Sequence, residues 1–182
     1  MDRIRCAWAV ATPDYLSYHD TEWGVERRGD DALFERLSLE AFQSGLSWLT
    51  ILRKREAFRT AFARFVIADV AAFDETDVIR LMTDVGIVRN RAKINATIRN
   101  ARAALEVAEG LSELLWSFAP EQQSARPATL ADVPGTSPQS VAMAKELKRR
   151  GFSFVGPTTA YALMQATGMV DDHVADCWRA GK

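Results

Sequence analysis

The feature that most constrains this chain is where its soft metal ligands fall. Its two cysteines and two histidines form one mixed pair near each end, Cys6 with His19 and His173 with Cys177. Any link among all four must bring the ends together. No export signal is read near the N-terminus, so a reducing cytoplasm is the expected setting, where a Cys6–Cys177 disulfide is disfavoured and metal binding is the better reading. His173 and Cys177 are four apart, a spacing that on a helix puts both side chains on one face. With Cys6 and His19 they would complete a tetrahedron with no position left for water, the pattern of a structural zinc. The alternative is two buried thiols and two ordinary histidines.

The rest of the pattern is helical. Leu33, Phe34, Leu37, Leu39 and Phe42 recur at helical spacing after Asp30 and Asp31, which predicts a capped amphipathic helix stopping near Gly45. Two further helices are expected from Trp48, Ile51 and Leu52 and from Phe58, Phe62 and Phe65. Residues 77–82 and 91–105 predict a helix, a turn at Gly86, and a helix with Ile94, Ile98, Ala101 and Leu105 on its buried face. Residues 119–138 hold four of the six prolines and read as a surface loop. A helix capped by Ser137 or Ser140 then runs through Arg150, Gly151 ends it, and residues 158–167 resume after Val155-Gly156-Pro157. No alternating run suggests a strand, so the expected class is all-α.

At 48 % hydrophobic content, residues 1–182 are expected to form a single domain, with two closely packed subdomains as a possibility. No stretch approaches the roughly eighteen apolar residues that span a bilayer, so no membrane partner is expected. A net charge of −1 means that a nucleic acid would have to meet a local basic patch.

Several segments together are more specific than any of these signals. Cys6-Ala7-Trp8, Tyr18-His19-Asp20-Thr21-Glu22-Trp23-Gly24, Leu39-Glu40 with Gly45-Leu46-Ser47-Trp48, Leu115-Trp116-Ser117-Phe118, and residues 151–177 resemble the bacterial 3-methyladenine DNA glycosylase I family almost end to end. The resemblance implies a helix-hairpin-helix glycosylase fold, zinc on Cys6, His19, His173 and Cys177, and a monomer acting on double-stranded alkylated DNA. It also implies a base pocket walled by Trp8, Tyr18, Trp23 and Trp48. Glu40 would accept hydrogen bonds from a flipped base that methylation has made cationic. Gly45-Leu46 would enter the gap left in the duplex.

Two segments resemble the superfamily's hairpins, Val85-Gly86-Ile87 and 154–160. The second should grip DNA, with Gly156 allowing close approach to a phosphate and Thr158 on the following helix N-terminus. Phe154 stands where the superfamily usually has glycine. Lys148 belongs with Arg89, Arg91, Lys93, Lys145, Arg149 and Arg150 to a basic group that could meet phosphates.

The resemblance implies a monofunctional enzyme, since Thr158 occupies the position where bifunctional members carry a lysine nucleophile. A non-catalytic lesion-binding helix-hairpin-helix protein is the main alternative, and a zinc hydrolase would need an open coordination site. Asp171 falls where superfamily members often place a catalytic aspartate, although the 3-methyladenine family commonly has asparagine there. It would either face the sugar or, as favoured here, cap or orient the zinc-binding helix.

Overall fold

The computed structural model describes residues 3–122 and 125–181. Among these residues there are nine α-helices and no strand: α1 (Pro13–Thr21), α2 (Asp30–Gln43), α3 (Trp48–Ala61), α4 (Ile67–Ala71), α5 (Glu75–Thr83), α6 (Arg91–Leu105), α7 (Leu111–Trp116), α8 (Pro138–Arg149) and α9 (Pro157–Ala166). None is long and apolar enough to cross a membrane.

Helix α2 is the axis of the core. Leu33, Phe34, Leu37 and Leu39 to Phe42 are all buried on it, which leaves little of its surface for water. Its expected aspartate cap is not what begins it. Gly29, at φ +93°, precedes the first turn, while Asp30 and Asp31 lie within it and reach outward. Asp30 accepts from the Ser112 N–H at 2.8 Å and Asp31 from the Ile67 N–H at 2.9 Å. Each carboxylate thus satisfies an orphan donor at the start of another helix, α7 or α4.

The phenylalanines expected to mark a separate third helix do not form one. Helix α3 runs unbroken to Ala61, and Ala63, Arg64 and Phe65 then turn through positive φ values of 49°, 54° and 59°. Phe62 and Phe65 stack at 5.4 Å across that turn, and Phe42 meets Phe58 at 4.7 Å. Burial of these rings holds a left-handed run that costs about 1–2 kcal/mol per residue in isolation.

The two hairpins form as expected, α5–α6 and α8–α9, and other elements brace their turns. Lys54 donates to the carbonyls of Val85 and Gly86 at 3.0 and 3.1 Å. Asn100 on α6 exchanges two hydrogen bonds with the Ser153 backbone, at 3.0 and 2.8 Å. Ser137 caps α8, accepting from Ser140 N at 3.1 Å.

One basic residue leaves the expected DNA-facing group. Lys93 is buried, and its ammonium donates to the carbonyls of Phe42 at 2.9 Å and Ser44 at 2.6 Å. It closes the C-terminal end of α2, where carbonyls have no helical partner. Replacing Lys93→Met keeps the stem and strands those carbonyls, so it should lower unfolding free energy by about 1–3 kcal/mol. Urea denaturation checks this, and an unchanged midpoint would exclude the capping role.

Candidate active site

Five side chains singled out from the sequence converge on one cavity of about 260 Å³: Trp8, Tyr18, Trp23, Glu40 and Trp48, joined by Tyr15, Gln43, Ala162 and Gln165. Local structure explains the convergence. Thr12 caps α1 by accepting from Tyr15 N at 3.2 Å, with Pro13 in the first turn, so Tyr15 and Tyr18 fall on one face. Ser47 caps α3 and starts it at Trp48. The Tyr15 hydroxyl accepts from Leu49 N at 3.0 Å, tying the two helix starts together.

The walls are aromatic and mostly edge-on. Trp8 meets Trp23 at 5.2 Å and Tyr15 at 5.6 Å, with interplanar angles of 81° and 85°; Tyr18 meets Trp48 at 5.6 Å. Such a box offers electron-rich faces to a flat, cationic guest.

Its charged element is Glu40, which is only 5 % exposed. Arg36, one turn back, donates to Glu40 Oε1 at 3.1 Å, while Oε2 has no hydrogen bond among the described residues. Burial pushes the Glu40 carboxyl above the usual glutamate range, and Arg36 pulls against that shift. Burial also brings Arg36 down to about 10, so it stays charged at neutral pH. Its guanidinium lies 4.4 Å from the Trp48 ring centroid and 5.0 Å from that of Tyr18. Sequence reasoning missed Arg36, although its i, i+4 spacing to Glu40 was available, as was the i, i+3 spacing of Tyr15 to Tyr18. Gln165 offered no such signal.

Behind the tryptophans lie the soft ligands. Cys6, His19 and Cys177 are buried, with ligand atoms all within 4.8 Å of one another, and could hold a metal ion. Cys177 Sγ is 3.4 Å from His19 Nε2. The His173 ring packs on His19 at a centroid distance of 5.1 Å, but it stands outside that group of three. Each imidazole is oriented through Nδ1 by an aspartate, His19 by Asp20 and His173 by Asp171, both at 2.9 Å. That is the outer-shell arrangement of metal-bound histidines, in which Nε2 is the ligating nitrogen. The Nε2 of His173 is buried with no hydrogen-bond partner among the described residues.

Burial lowers both imidazoles, with the aspartates opposing, which favours the neutral, ligating form. Burial pushes the Cys6 thiol up to about 12, and Cys177 adds to it. A thiolate there needs a cation beside it.

The C-terminal ligands do not sit on a helix. The segment after Val170 is a series of turns, and its closure is made by backbone bonds such as Trp178 N to Ile4 O at 3.0 Å. His173 and Cys177 reach the same region through chain reversal rather than helical spacing. Asp171 therefore caps no helix. It binds His173 Nδ1, the Gly181 N–H at 2.8 Å and Arg126 at 3.1 Å, and it lines a separate cavity from the one holding Glu40.

The expected DNA-contacting residues lie at the surface. Gly45, at φ +81°, and Leu46, 42 % exposed, form the loop between α2 and α3 beside Trp48. Gly156 precedes α9 with open space where a Cβ would go, and Thr158 and Lys148 are exposed. Phe154, where glycine was expected, adopts φ +58° and is exposed. Arg149 and Arg150 are paired with Glu146, and Arg91 with Glu75.

Comparisons with known proteins identify the family. The methyladenine glycosylase family model matches residues 8–180. The chain is 47 % identical over 177 residues to DNA-3-methyladenine glycosylase 1 of Escherichia coli (strain K12), covering 95 % of each chain. A crystal structure of 3-methyladenine DNA glycosylase I superposes with a TM-score of 0.93 at 44 % identity, covering 97 % of this chain and 100 % of that one. A variant of 3-methyladenine DNA glycosylase I in complex with 3-methyladenine superposes at 0.92 and 35 % identity, covering 98 % of both. The fold is that of an all-helical DNA glycosylase. The chain belongs to the methyladenine glycosylase family.

Gly24 lies against the His173 ring. Its φ is +76°, and a Cβ there would lie 2.6 Å from His173 Cε1. Gly24→Ala should cost about 2 kcal/mol or more through strain and the displaced imidazole. Thermal melting and metal content per chain measure the effect; a variant with parental values of both would show that the contact is dispensable.

Proposed function

We propose that this chain performs its family's reaction, excision of 3-methyladenine from alkylated DNA, with the base flipped into the cavity of Trp8, Tyr18, Trp23 and Trp48 and read by Glu40. The observation that carries this is the buried Glu40, with one oxygen on Arg36 and the other unpartnered within an aromatic box. A purine methylated at N3 is cationic and donates from its amine, which suits both elements. Stacking on the rings contributes about 0.5–2 kcal/mol for a cation, more than for neutral adenine. The relative that superposes with 3-methyladenine bound supports the same assignment.

Methylation already makes the base a good leaving group, so the pocket mainly binds, orients and excludes competing water, with its electrostatics favouring departure of the base. Gly45-Leu46 enters the space the base vacates, and Gly156, Thr158 and Lys148 meet the backbone of double-stranded DNA. The protein works as a monomer, in the cytoplasm, and leaves the strand intact: Thr158 offers no amine, and the Lys93 ammonium is committed to carbonyls.

Zinc belongs to the same reading. Cys6, His19, His173 and Cys177 would hold it, supported by the unpartnered His173 Nε2 and the two aspartate–imidazole pairs. Bound there, it would supply a rigid clip between chain segments, since four protein ligands leave no site for a reacting water.

Wild-type protein incubated with methylated DNA should release 3-methyladenine, identified by chromatography, and leave abasic sites without strand breaks. Glu40→Gln should slow single-turnover release by well over tenfold, about 1.4 kcal/mol or more of barrier. Because Glu40 is protonated at higher pH than an ordinary glutamate, the wild-type rate should fall on acidification before ordinary carboxylates titrate, and Glu40→Gln should lack that limb. No released base, or a borohydride-trapped protein–DNA adduct, would refute the assignment.

Elemental analysis of protein purified without chelator should find about one zinc per chain. Cys177→Ser should lower thermal stability more than it lowers the excision rate of the protein that remains folded. Absence of zinc would overturn this part alone.

A further inference from the structure

The cavity contains a second polar group that the sequence did not point to. Gln165, on the last turn of α9, lines the same cavity as Glu40. Its Nε2 donates to Asp172 Oδ2 at 2.8 Å, and the Tyr161 hydroxyl donates to that same oxygen at 2.7 Å. Asp172 is 9 % exposed and Tyr161 4 %. The Tyr161 hydroxyl and the amide nitrogen of Gln165 converge on this one carboxylate oxygen, so the amide presents its nitrogen to Asp172. That fixes which end of the amide is which: the carbonyl Oε1 is turned away from Asp172, and no group among the described residues donates to it.

We infer that Gln165, with its amide locked by Asp172, is a specificity residue that offers a hydrogen-bond acceptor to the base edge and so selects an amine over a carbonyl on the bound purine. The inference rests on the cavity being the base site. Adenine and guanine differ at the ring position where adenine carries its N6 amine, a donor, and guanine its O6, an acceptor. With Glu40 Oε2 and Gln165 Oε1 as acceptors on its lining, the pocket satisfies the amine. It sets O6 against an unpaired acceptor, which is costly in a water-poor site. Gln165 touches the base; Asp172 acts through Gln165 and is a positioning residue.

Gln165→Met has similar volume and no acceptor of comparable strength. Asp172→Asn keeps the shape and the bond from Tyr161, but its new N–H₂ can donate to Gln165 Oε1, which lets the amide turn and present N–H to the cavity. The test measures binding of free 3-methyladenine and 3-methylguanine through tryptophan fluorescence, and release of both bases from methylated DNA. Melting curves serve as the control for folding.

Gln165→Met should reduce the preference for 3-methyladenine over 3-methylguanine by about tenfold, equivalent to 1.4 kcal/mol. Asp172→Asn should also narrow it, by raising 3-methylguanine binding, yet change little when added to Gln165→Met, because its effect passes through the amide. A Gln165→Met protein with wild-type selectivity would overturn the inference while the release of 3-methyladenine still stood. An Asp172→Asn effect undiminished in the Gln165→Met background would overturn the positioning role. Selectivity that shifts as expected in a protein releasing no base would instead sink the excision reading and leave this one.

Discussion

Trp8 and Trp23 stand between two sites, and the functional end of the molecule depends on that packing. On one side they wall the aromatic cavity. On the other, Trp8 meets His19 at 5.3 Å and Trp23 meets His173 at 4.6 Å. A displacement of either imidazole is therefore a displacement of the wall. Protein interiors are packed too densely to absorb such a shift locally. The soft-ligand cluster need not line the cavity to determine the position of its wall.

Inside the cavity, charge is balanced before a ligand arrives. Arg36 places a guanidinium against Trp48 and Tyr18, which by itself would repel a cationic purine from those rings. Glu40 offsets it through a contact in which a single carboxylate oxygen is used. The pair is nearly neutral at a distance, but at short range it exposes one anionic oxygen. A neutral side chain at position 40 would leave the arginine uncompensated, so removing the Glu40 carboxylate also reverses the sign of the field that a cationic guest meets. The aspartates at Asp20 and Asp171 treat the histidines similarly, each fixing one ring nitrogen so that the other is presented.

How much of this was legible in the sequence depends on the range of the interaction. Helices α2, α6, α8 and α9 could be read because each buries a face whose spacing is local, and the tryptophans, Glu40 and the soft ligands stood out through rare residue types and a family resemblance. Helices α1, α4 and α7 were missed: they are short, and two of them are begun by partners far away, as when Asp31 accepts from Ile67 N. The left-handed turn at Ala63–Phe65 has no glycine to announce it and is held by ring packing. Lys93 looked like a surface charge because nothing local reveals that the end of α2 lies against it. The Gln165–Asp172 contact joins two segments that only the chain's reversal after α9 brings together.

The contact between Trp23 and His173 also sets a schedule. As the chain emerges during synthesis, α1 to α9 precede His173, and the helical core can gather before the turns that follow α9 exist. The wall behind Trp23 cannot. The imidazole that fills the space over Gly24 arrives about 150 residues after the glycine that makes room for it. A nascent chain therefore passes through a stage in which its helices are in place while the cavity still lacks its backing, and a finished cavity comes late rather than growing in step with the fold.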